Sequence, residues 1–162
     1  MKKLFLPSVF LLSFFCIAEN MRADSPEEFT SETAKNISEV KALVQQALSG
    51  TTENESKTPL QSAETILQKS VEKSSALYEE FSAKRKSLSE KSPLYQQHLD
   101  LEADLYSLKR DLSEVRRDIE HALHAESAKD VEYHLKKTEK SFLEIEKMLK
   151  AITLQLQTFK QN

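Results

Sequence analysis

The sequence is poor in the residues that build tight turns and glycine-based active sites. Its 162 residues include one Gly, four Pro, one Cys and no Trp. Glycine supplies the positive φ angles on which hairpin turns, phosphate-binding loops and nucleophile elbows depend. Most active sites of that kind are therefore excluded, and we expect neither an enzyme nor a bound cofactor. The length is enough for one domain.

Charged and helix-forming residues make up most of the chain. Charged residues account for 30% and hydrophobic residues for 39%, and the formal net charge is −3. A composition rich in Leu, Lys, Glu, Ala and Ser is typical of long helices and coiled coils. A negatively charged chain repels phosphates, so we expect no nucleic-acid partner.

The first residues have the pattern of a cleavable secretory signal peptide. Lys2 and Lys3 precede an apolar run over 4–18, which is shorter than the roughly 20 residues that a transmembrane helix needs. Cys16 and Ala18 are the small residues that signal peptidase requires before a cut. We expect a signal peptide over 1–18, and a mature chain that is exported to the periplasm or secreted, with no transmembrane segment.

Two further alternatives concern the same region. A cut after Ala23 is the second possibility for the signal peptide. Lipid attachment at Cys16 is not expected, because the preceding residues Ser13, Phe14 and Phe15 include two bulky side chains where lipoprotein processing needs small ones. The expected mature chain thus contains no cysteine, so its stability depends on helix packing without disulfides.

Capping signals predict a first, shorter helix. Ser25 and Glu28 form a capping box, Pro26 is suited to the first helical position, and Gly50 is the expected stop. We predict a helix over about 26–49. A polar linker is expected over 51–57, so that residues 19–57 stand apart from a helical domain over 58–162.

Three longer helices of similar length are predicted after the linker. Thr58-Pro59 and Ser92-Pro93 are expected helix starts, and a turn is expected near 125–130, where Ser127 and Asp130 are placed to cap a new helix. The predicted helices lie at about 59–91, 93–125 and 129–160. We predict an all-α fold, an antiparallel bundle or coiled coil of these three helices plus the shorter N-terminal one.

Two apolar seams with heptad spacing support this fold. The seams are out of phase by two residues, which is the reason to expect a turn between them. Leu143, Ala151 and Leu154 lie outside the second seam and indicate contact with a second neighbour. The predicted helix-packing seam consists of Leu101, Leu105, Leu108, Leu112, Val115, Ile119, Val131, Leu135, Phe142, Ile145, Leu149, Ile152, Leu156 and Phe159.

The histidines are the only residues that suggest a chemical site. Asp118, His121 and His124 follow each other at steps of three, and a turn near 127 brings His134 level with His121, a combination able to bind a transition metal. Surface helices often carry histidines, and no His-Glu-x-x-His motif is present. We therefore predict neither a metal site nor a pH-sensitive turn, and interpret these histidines as ordinary surface residues. His98 has no catalytic partner at motif spacing.

These features favour an exported, non-enzymatic helical protein that acts as a structural or protein-interaction module. Its amphipathic helices would contact a protein partner, with a second copy of the chain as one candidate. In leader, length and helical content the chain resembles in outline the trimeric periplasmic chaperones that carry unfolded outer-membrane proteins, although it lacks their small β body and basic surface. A holdase chaperone and a secreted effector or adhesin are the alternatives.

Overall fold

The computed structural model describes residues 25–50 and 53–159, with the side chains of residues 53 and 54 left out, and all regular structure in these ranges is helical. None of its helices combines the length and apolar composition needed to cross a bilayer. The signal peptide predicted over 1–18, and with it Cys16 and the alternative cut after Ala23, lies outside the described residues. The helices are α1 (Pro26–Ser49), α2 (Glu53–Lys86), α3 (Pro93–Leu123) and α4 (Ala128–Phe159).

The predicted capping box opens α1. The Glu28 backbone N–H donates to Ser25 Oγ at 3.3 Å, and the Ser25 N–H donates to Glu28 Oε2 at 2.8 Å. Gly50 follows the last helical residue, but its φ of −65° and ψ of 137° are extended, not left-handed. The helix therefore ends at the predicted residue for a reason other than the conformational freedom of glycine.

The turn between α1 and α2 requires a small residue because the two helices approach closely. A Cβ atom on Gly50 would lie 2.9 Å from Ser56 Oγ and 3.2 Å from the carbonyl carbon of Glu55. The Ser56 hydroxyl donates to the Ala47 carbonyl at 2.9 Å. The same carbonyl also accepts from the Gly50 N–H at 3.3 Å, and the bond from Ser56 attaches the first turn of α2 to α1.

The bounds of α2 correct the sequence prediction. The helix begins at Glu53, so most of the expected linker over 51–57 is helical and Pro59 lies inside the helix, not at its start. Pro59 cannot donate the helical hydrogen bond to the Glu55 carbonyl, so α2 continues through this position with one backbone bond fewer. The helix also ends at Lys86, earlier than the predicted 91, and a non-helical turn leads to Pro93.

The chain reverses between α3 and α4 at the predicted place. His124 ends α3, where its N–H donates to the Glu120 carbonyl at 3.2 Å. The Asp130 N–H donates to Ser127 Oγ at 3.2 Å, and the Ser127 hydroxyl donates to Asp130 Oδ2 at 2.6 Å. Side-chain capping therefore forms this turn without glycine or proline.

All four helices form one bundle. Each packs against its neighbour in the chain, and α1 also packs against α4. Along α3 and α4 the bonded partners run in opposite order, since Asp104 accepts from Gln155 at 2.8 Å and Asp118 pairs with Lys137 at 2.9 Å. The shorter helix α1, which the sequence placed in a segment apart from the helical domain, shares this core through the buried residues Ile37, Val40 and Val44.

The core consists of the apolar seams and a few polar residues. Of the predicted seam residues all are buried except Val131 and Phe159, which are half-buried against the core. Thr138, the one polar residue in the second seam, is fully buried and donates to the Leu135 carbonyl at 2.7 Å. A buried hydroxyl is tolerated where it has such a partner.

Candidate functional sites

Asp118, His121 and His134 come together beside the turn between α3 and α4. One ligand atom from each side chain lies within 4.8 Å of the others. His134 Nδ1 is 3.9 Å from Asp118 Oδ1, and the rings of His121 and His134 are edge to face, with centroids 5.2 Å apart. His124 is not a member of this group. The structure thus places His134 near His121, as the sequence indicated.

The charge of Asp118 is partly neutralised by a lysine. Asp118 is only 5% exposed. Lys137 Nζ donates to Asp118 Oδ1 at 2.9 Å, and this hydrogen bond raises the pKa of Lys137 above its ordinary value. His134 Nδ1 is buried and makes no hydrogen bond in the described part of the chain. The group therefore contains a buried carboxylate and an imidazole nitrogen with no hydrogen-bond partner.

The outer face of α4 carries apolar side chains that no neighbouring helix covers. Leu143 is 55% exposed and Leu154 is 64% exposed, and Ala151 between them is also exposed. From their positions in the sequence, these three residues were expected to contact a second neighbour. The structure corrects this assignment, because α4 contacts both α3 and α1 while leaving this face in solvent.

A half-buried ion pair joins α2 to α3, and the sequence pattern did not predict it. Arg85 Nε donates to Glu102 Oε2 at 2.5 Å, and Arg85 Nη1 donates to Tyr95 Oη at 2.9 Å. The hydrogen bond from Arg85 holds the pKa of Glu102 below its ordinary value. Arg85 lies in the basic run Lys84-Arg85-Lys86, and its spacing in the sequence does not indicate Glu102 as a partner. Glu80 and Lys84, four residues apart on α2, form a second ion pair.

Two further features of the described residues are His98 and a groove between α1 and α2. His98 packs edge to face on Phe159, with centroids 4.8 Å apart, and its Nδ1 contacts the Leu94 carbonyl at 2.8 Å. An open groove of about 680 Å³ lies at the turn between α1 and α2, with Glu55 and Pro59 among its lining, and this lining contains no histidine or cysteine.

No protein-family model, no curated protein and no solved structure matches the chain. The function proposed below therefore depends on the residues of this chain alone.

Proposed function

We propose that the chain is an exported, non-enzymatic helical protein that binds a protein partner through the outer face of α4. The observation that carries this proposal is the exposure of Leu143 and Leu154, each more than half accessible although the core is filled by other residues. Large apolar side chains grouped on one exposed face are typical of a protein-interaction surface.

The spacing on this face suits a partner helix. Leu143 and Leu154 are eleven residues apart, which is close to three helical turns and roughly 16 Å along the axis. Ala151 lies on the same side of the helix, where its small side chain permits close approach. Lys140 and Lys147 are exposed beside the apolar residues and would favour acidic residues at the edge of the partner.

If the partner is a second copy of the chain, the proposal can be tested with the purified protein alone. We expect the average mass of the chain in sedimentation equilibrium to rise with concentration. The double substitution L143E/L154E should reduce this association, because each charged side chain would be desolvated in the contact. A double substitution on the α3 side, L99E/Y106E, is the matched control, since it also adds two charges at exposed apolar positions. A monomer at every concentration would contradict self-association.

Export has its own test in the intact mass and N-terminal sequence of the chain from the producing cell. A free amino terminus at Glu19 is expected if the signal peptide over 1–18 is removed. A chain that begins with an acylated Cys16 would contradict the proposed localisation.

The two alternatives predict other results from the same material. A holdase chaperone would suppress the aggregation of an unfolded membrane protein at stoichiometric excess. A secreted effector or adhesin would accumulate in the culture medium, not in the cell envelope.

A further inference from the structure

The cluster at the α3–α4 turn has the donor chemistry of a transition-metal site. It offers two imidazoles and one carboxylate, the ligand types that Zn²⁺ takes in open sites with three protein ligands. We propose that Asp118, His121 and His134 bind a divalent first-row transition cation, for which Zn²⁺ is the probe.

The backbone already holds the three ligands on two packed helices. Asp118 and His121 lie one turn apart on α3, and His134 faces them from α4. Their ligand atoms lie within 4.8 Å of one another. Donors at about 2.0–2.1 Å from a tetrahedral zinc ion are roughly 3.4 Å apart. Rotation of the side chains would bring the ligand atoms to this shorter separation, and the ring of His121 is free to rotate because it is exposed.

The environment of His134 points to a ligand. Its Nδ1 is buried and forms no hydrogen bond within the described residues. The 3.9 Å from this atom to Asp118 Oδ1 is too long for a direct hydrogen bond. A buried nitrogen in this state carries a free-energy cost, which coordination to a metal ion would remove.

Lys137 opposes the binding of a cation and so offers a specific test. Its ammonium group donates to Asp118 Oδ1 at 2.9 Å, yet its side chain is 52% exposed and can turn into solvent. Arg117 adds a second positive charge close enough to act on Lys137. Removing the charge of Lys137 should therefore strengthen metal binding, whereas the same substitution would weaken a turn held together only by the ion pair.

Isothermal titration of Zn²⁺ into the full chain tests the site. All proteins in this titration should carry the substitution Cys16→Ser, so that the one thiol of the chain does not compete as a ligand. We expect one zinc ion per chain. His121→Gln and His134→Gln should each weaken binding by at least about tenfold, the lower end of the effect of losing a supporting residue. Lys137→Gln should strengthen it.

His124→Gln is the matched control, since His124 lies at the same turn but outside the cluster, and it should bind zinc as tightly as the parent. Far-UV circular dichroism without zinc verifies that each variant is folded. The thermal midpoint should rise with zinc in the parent and not in the His121 and His134 variants. Absence of zinc binding, equal weakening by all three histidine substitutions, or weaker binding by Lys137→Gln would overturn the proposal.

Discussion

At the scale of single residues, the contribution of a leucine to the free energy of unfolding depends on its place in the bundle. Leu108 is fully buried between the helices, whereas Leu154 is mostly exposed on α4. Leu108→Ala should lower the free energy of unfolding by about 2–5 kcal/mol, because it removes apolar contacts and leaves a cavity. Leu154→Ala should change it by less than about 0.5 kcal/mol. Urea unfolding of both variants measures the difference, and equal losses would contradict the assignment of the core.

The ion pair between Arg85 and Glu102 should make stability depend on pH. The pKa of Glu102 is lowered chiefly by its hydrogen bond from Arg85. A carboxylate with a lowered folded-state pKa adds stability above its unfolded pKa of about 4.3, and that stability is lost as pH falls through the folded value. Glu102→Gln should therefore lower the thermal midpoint at pH 7.

The thermal midpoints of the wild type and Glu102→Gln should then be compared again at acidic pH. The difference in midpoint between the wild type and Glu102→Gln should be constant above about pH 5 and should narrow below pH 4.3. Glu80→Gln is the matched control, because Glu80 pairs with Lys84 on the exposed surface of one helix and should show little effect. A difference that is unchanged in acid would show that the glutamine acts through packing and not through charge.

At the scale of helices, the α1–α2 turn depends on the close contact between Gly50 and Ser56. Gly50→Ala should lower the free energy of unfolding by about 1 kcal/mol, because the added methyl group would lie 2.9 Å from Ser56 Oγ. Ser56→Ala should cost a similar amount, about 1 kcal/mol, through the lost bond to the Ala47 carbonyl.

The double variant G50A/S56A distinguishes this contact from two independent effects. Removal of Ser56 Oγ relieves part of the contact with the new methyl group, so the double variant should lose less than the sum of the single losses. Chemical unfolding of all four proteins measures the coupling. Strictly additive losses would show that Gly50 is needed for a reason other than the proximity of Ser56.

Apolar spacing predicted the helices better than capping rules predicted their ends. The seams through Leu112 and Leu149 indicate helices because a buried face must recur at helical spacing. The start of α2 was misplaced because Thr58-Pro59 has the form of a helix start and proline is disfavoured inside helices, whereas Pro59 lies inside α2. Capping rules consider only residues close in sequence, so they do not include the bond from Ser56 to α1, which favours the earlier start of α2.

The candidate metal site was predictable only in part. The spacing of Asp118 and His121 is visible in the sequence, and the position of His134 follows once the turn is placed. The burial of Asp118 and the absent hydrogen bond at His134 Nδ1 depend on how α3 and α4 pack. Lys137 follows Lys136 in the sequence, and only the packing of α3 against α4 places it beside Asp118.

At the scale of the whole molecule, α1 is an integral part of the bundle. It contacts both α2 and α4, and an ion pair between Lys41 and Glu146 at 2.6 Å joins it to α4. Ile37, Val40 and Val44 belong to the same buried cluster as the residues of the longer helices. A helix whose apolar residues share one core with the others should unfold together with them.

Ile37→Ala tests this cooperativity, because Ile37 is buried in α1 while all four tyrosines of the chain lie in the other helices. The substitution should lower the free energy of unfolding by about 2–5 kcal/mol when tyrosine fluorescence is followed, since the loss of core contacts in α1 is shared by the whole bundle. Ser38→Ala, at an exposed position of α1, should have little effect. If Ile37→Ala left the tyrosine transition unchanged and produced a separate early loss of helicity, α1 would unfold independently of the other three helices.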